Sequence, residues 1–69
     1  MMSNDEIVVF HMYMESAENK QRARNYEGAL TDYTFAKGIG EDAHDDFAIA
    51  QAQRGVNFCL EKIENLPVK

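Results

Sequence analysis

A chain of 69 residues holds one domain, and its twelve acidic against seven basic residues give a net charge of −5. That balance argues against nucleic acid or an anionic membrane as the main partner, because phosphate binders carry a basic footprint; it suits a protein partner with a basic face. The single cysteine, Cys59, excludes an internal disulfide, no run approaches the ~20 apolar residues that span a bilayer, and no signal-peptide pattern opens the chain, so a cytoplasmic location is expected.

Ser3 and Glu6 form an S-x-x-E capping box immediately before an apolar run, which marks a helix start. Ile7, Phe10, Met14, Ala17 and Gln21 follow at three- and four-residue spacing. Val8, Val9, Met12 and Tyr13 make the first half apolar nearly all round, while Lys20, Arg22 and Arg24 gather where cations oppose the helix dipole. The first helix is therefore expected over about 4–24.

Asn25 is a suitable N-cap for a second helix, and Ala29, Leu30, Tyr33, Ala36 and then Lys37 or Ile39 continue the period. Gly38 and Gly40 are expected to stop it, giving a helix over about 26–38. A connection of a residue or two forces these two helices into an antiparallel hairpin. Asp42 is expected to cap a third, long helix over about 43–66, with Asp45 and Asp46 in its first turn. Its stripe runs Ile49, Ala52, Val56, Cys59 or Leu60, Ile63 and Leu66, and Pro67 ends it. Nothing reads as a strand, so the expected fold is all-α: a three-helix bundle made of a hairpin and a long third helix.

Catalytic and metal signatures are weak. Cys59 sits on an apolar stripe without a histidine nearby in sequence, which reads as a small core residue rather than a nucleophile. His11, His44, Asp42, Asp45, Asp46 and Cys59 match no metal-ligand spacing, and the 41–46 run lacks the alternating oxygen ligands and central glycine of a calcium loop. Gly38-Ile39-Gly40 has no preceding strand and is no phosphate loop. The expectation is a non-enzymatic protein without metal or cofactor. Lys20, Arg22 and Arg24 leave one alternative, a small DNA-binding transcription factor.

The informative residues are apolar ones in surplus. Val8, Val9, Met12, Phe35, Phe47 and Phe58 do not all fit on the inward stripes, so some should form an exposed patch. Val8, Met12, Phe35, Phe47 and Phe58 are taken as the partner-binding candidates, the partner being another protein or a second copy of the chain. Gly55 costs roughly 1 kcal/mol in mid-helix, and with Ala48, Ala52 and Cys59 it makes a small-residue groove that another helix should approach closely.

Asn25-Tyr26-Glu27-Gly28-Ala29-Leu30, with Tyr33 and Ala36, resembles the second helix of a tetratricopeptide hairpin, and Tyr13 and Ala17 fall where that repeat has large and small residues. The same segment is similar to the first hairpin of microtubule-interacting-and-trafficking domains. In length and layout the chain also resembles the AraC negative regulators of bacteria and phages and their PerC-like relatives. Tyr26, Ala29, Tyr33 and Ala36 stand for that family's aromatic–small pattern, and Arg54, Phe58 and Cys59 approximate its R-x-x-F-C-like motif. The resemblance implies a regulator that binds a transcription factor without contacting DNA, or more generally a phage accessory protein that binds a host protein.

Overall fold

The computed structural model describes residues 2–65 and folds them into three α-helices: α1 (Asn4–Arg22), α2 (Tyr26–Asp42) and α3 (Asp46–Glu64). Each start is a side-chain cap. The Ser3 hydroxyl accepts from the Glu6 amide at 3.2 Å while the Glu6 carboxylate accepts from the Ser3 amide at 2.9 Å, completing the capping box. Asn25 accepts from the Gly28 amide and Asp45 from the Ala48 amide, both at 3.1 Å.

The two turns are alike. Arg24 N–H donates to Gln21 O and Asn25 N–H to Lys20 O; His44 N–H donates to Glu41 O and Asp45 N–H to Gly40 O. Both are Schellman closures, in which the residue after the C-cap turns left-handed. Glycine is usual there, but Arg24 (φ 64°) and His44 (φ 54°) occupy the positions.

The second helix departs from the expected boundary. Gly38 and Gly40 do not stop α2, which continues through both to Asp42; neither glycine has a positive φ. Asp42 thus closes α2 instead of capping α3, and Asp45 takes the cap. The reason is spatial: glycine permits a helix end without requiring one. Gly40 is buried, and a Cβ there would come within 3.1 Å of Ile49 N and 3.2 Å of the Ala48 Cβ. Its missing side chain brings the start of α3 against α2. Leu66 and Pro67, expected at the end of the third helix, lie outside the described residues.

The chain is an all-α three-helix bundle with α2 in the middle. It packs along both α1 and α3, whose backbones scarcely approach each other. The interior is built mainly from small residues: Ala17, Ala29, Ala36, Ala48, Ala52, Gly55 and Cys59 are buried. Phe10 and Tyr33 are the large exceptions; Phe10 reaches from α1 to Ala36, Ala48 and Ala52. The row that α3 buries is Ala48–Ala52–Gly55–Cys59, and the neighbouring stripe of Ile49, Val56 and Ile63 is only half-buried. The ring of Tyr33 occupies the space that Gly55 leaves, so the close approach expected there is made by α2.

Candidate interaction surface

A core of alanine and glycine draws helices close but leaves little interior volume for large side chains. The five partner-binding candidates are accordingly outside: Phe47 is 74% exposed, Met12 63%, Val8 57%, Phe35 56% and Phe58 37%. They do not form one patch. Phe35 of α2 stacks on Tyr13 of α1, with ring centroids 5.3 Å apart and planes at 20°. Met12 lines a depression of about 340 Å³ beside Tyr13, with Val9, Ser16 and Asp32. Met12 and Phe35 therefore share the α1–α2 seam. Val8 points away from it, joining Met12 along the outer side of α1.

Phe47 and Phe58 face a separate cleft between α1 and α3. Phe47 stands near Ile7, His11 and Gln51 at one end. Phe58 lies about 16 Å further along α3, at 1.5 Å per residue, where Tyr26 meets it edge-on at 6.3 Å and the Lys62 ammonium sits 5.4 Å from its ring centroid. Phe58 is thus partly engaged within the chain, whereas Phe47 has no such aromatic or cationic cover among the described residues.

The three helices differ in what they turn outward. Exposed positions on α2 are mainly polar, as at Glu27, Thr31, Thr34 and Glu41, and those of α3 include Asp46, Asn57, Glu61 and Glu64. In α1, residues 7–14 are apolar around most of the helix, and only Phe10 of these is buried. A helix apolar on all sides is one that is covered on all sides. Alone, α1 is covered on one.

Sequence reasoning missed a polar element at the same seam. Asp32 is 7% exposed; the Ser16 hydroxyl donates to it at 2.6 Å and the Lys20 ammonium lies 3.0 Å away. A buried carboxylate needs such partners. The signal was its register: Asp32 falls beside Ala29, Tyr33 and Ala36 on the inward arc of α2. Lys20 is thereby committed to an internal pair, whereas Arg22 donates to the neutral amide of Asn19 at 3.2 Å and Arg24 serves the turn through its backbone.

The chemical candidates behave as packing groups. Cys59 is wholly buried with Ala17, Ala29 and Tyr33, and burial pushes its thiol pKa up, away from nucleophilic reactivity. Tyr33 donates from its hydroxyl to Gln21 Oε1 at 2.8 Å; burial, then the negative charge of Glu18, then Cys59, raise its pKa above the ordinary tyrosine value. His11 meets the edge of Phe10 at 5.8 Å. Among the described residues no group of three or more His, Cys, Asp or Glu side chains is placed to hold a metal ion, and no helix is long and apolar enough to cross a membrane. No protein-family model, curated protein or solved structure matches the chain.

Proposed function

We infer that the chain is a non-enzymatic regulatory or adaptor protein that acts by binding another protein. The carrying observation is the inverted distribution of size: alanine, glycine and cysteine inside, with Val8, Met12, Phe35 and Phe47 more than half exposed outside. Exposed apolar surface of this kind is what a partner covers. The acidic net charge and the buried, proton-holding Cys59 support the same reading, and the commitment of Lys20 to Asp32 favours it over DNA binding. The free thiol suits a cytoplasmic site of action. The resemblance to AraC negative regulators supports a transcription factor as that partner.

The test is affinity capture with the whole chain and with a Met12→Glu/Phe35→Ser variant, beside sedimentation of the purified protein. The expected result is a protein retained by the first and lost by the second. Recovery of no partner, from a chain that sediments as a well-behaved monomer, counts against the reading. The transcription-factor part is tested by co-expressing the chain with an AraC-type activator and its reporter; unchanged reporter output removes that part alone.

A further inference from the structure

The α1–α2 seam is a shallow groove whose floor is largely apolar, with Ser16 and the Lys20-paired Asp32 at one end and a single sign of charge at its mouth at the other. Val9, Met12, Tyr13, Phe35 and Ile39 form the apolar part. Where α1 begins and α2 ends, Val9 and Ile39 are flanked by Asp5, Glu6 and Asp42. Glu6 is occupied with the Ser3 amide, but Asp5 and Asp42 are exposed and have no ion-pair partner among the described residues. The cleft between α1 and α3 lacks this uniformity, since Glu18, Gln21, Gln51 and Arg54 line it around Phe58.

We propose that this seam docks an amphipathic helix of a partner protein, its apolar stripe on Val9, Met12, Tyr13 and Phe35 and a lysine or arginine at one end facing Asp5 and Asp42. The proposal rests on the protein-binding reading above and specifies the surface and the chemistry of the partner. Recognition of a helix by a groove uses apolar anchors at i, i+3 or i+4 and i+7, and the distance from Val9 to Ser16 along α1, about 10 Å at 1.5 Å per residue, takes two or three of them. Charge separates the occupants. A second copy would bring another −5 and the same acidic mouth. A basic helix supplies what the mouth lacks and is steered to it.

The probes are two synthetic helical peptides with leucine at i, i+3, i+4 and i+7, one with lysine and the other with glutamate at the remaining exposed positions. Each is titrated into the whole chain carrying labelled methyl groups, followed by NMR. The basic peptide should shift Val9, Met12 and Ile39 saturably, and the acidic one should need at least roughly tenfold more to do so. Met12→Glu should weaken the basic peptide about tenfold or more, although it adds negative charge; attraction by charge alone would instead rise. Asp5→Asn with Asp42→Asn should lower affinity several-fold and flatten its salt dependence. Equal affinity for both peptides, or no shift with either, overturns the proposal. Shifts confined to Ile7, Met14 and Ala48, which line the cleft between α1 and α3, overturn it while leaving the protein-binding reading intact. A dimer that Met12→Glu dissolves makes the second copy the occupant and overturns it as well.

Discussion

Replacing Gly55 by alanine sets helix propensity against packing, and the position of the Tyr33 ring decides between them. An alanine Cβ at position 55 would lie 2.4 Å from Cδ1 and Cε1 of Tyr33 and 2.6 Å from its Cγ. Ordinary carbon contacts are about 3.5–4.0 Å, so the ring must retreat by roughly 1 Å. It has little freedom to do so, because the clash reaches Cγ at the root of the ring and Tyr33 is buried and tethered to Gln21. Overpacking of this order costs about 1–3 kcal/mol, and loss of the tyrosine hydrogen bond costs about 1 kcal/mol more. Helix propensity returns about 1 kcal/mol. The net expectation is destabilisation by about 1–3 kcal/mol, and each kcal/mol lowers the melting temperature of a domain this small by roughly 4–8 °C.

Gly38→Ala is the internal control. It is the same substitution within a helix, but a Cβ at Gly38 meets nothing within 4 Å, so it should stabilise by up to about 1 kcal/mol. Urea unfolding followed by circular dichroism reads both variants. Tyr33→Phe should remove only the hydrogen-bond part of the Gly55→Ala penalty, about 1 kcal/mol, and leave the overpacking part, since ring carbons rather than the hydroxyl collide. A Gly55→Ala protein as stable as Gly38→Ala would refute the packing of Tyr33 on Gly55 and, with it, the assignment of that groove to the interior.

Asp32→Ala should destabilise by about 1–3 kcal/mol, as it removes the acceptor of Ser16 and Lys20; because the Lys20 side chain is 41% exposed, its coupling to Asp32 in a double-mutant cycle should fall to about 1 kcal/mol or less. Tyr33 keeps its proton more tightly folded than unfolded, so the associated stability is complete below the unfolded value near pH 10 and is lost as pH rises through the higher folded one. Denaturant titrations across that alkaline range should show the loss in the natural chain and less of it in Tyr33→Phe. Cys59 should react with a disulfide reagent at neutral pH only as the chain opens; rapid stoichiometric reaction without denaturant would contradict its burial. His44→Gly should stabilise by about 0.5–1 kcal/mol, since it relieves a left-handed backbone at a residue with a Cβ, and a urea midpoint that falls instead would count against that turn.

The helices were legible because their starts are chemical and local: Ser3 with Glu6 and Asn25 act on amides three residues away. The ends were not. Arg24 and His44 take a conformation usually given to glycine, while Gly38 and Gly40 lie within a helix, so reading glycine as a stop misplaced both the end of α2 and the cap of α3. What fixes Gly40 is its fit against Ala48 and Ile49 from another helix, which no local pattern carries. On α3 the groove of Ala48, Ala52, Gly55 and Cys59 is the row that packs inward, as their small size suggested, whereas Ile49, Val56 and Ile63 of the hydrophobic stripe are only half-buried and Leu60 is exposed. The exposed positions of Val8, Met12, Phe35, Phe47 and Phe58 followed from counting apolar residues against available faces. Their division between a seam and a cleft depended on how the helices are placed.

That α1 and α3 scarcely approach each other has a bearing on the order of folding. The helices whose backbones pack closely are consecutive in the chain, with Phe10 and the cluster of Ala17 and Cys59 bridging α1 and α3, and each consecutive pair is linked by only three residues, 23–25 and 43–45. Such short loop closures belong to the low-contact-order class, which folds in roughly microseconds to milliseconds. Neither outer helix has a docking surface until α2 forms, and once it exists either can add without waiting for the other. The route is therefore expected to be branched, with substitutions in α2 slowing both arms and those in α1 or α3 slowing one.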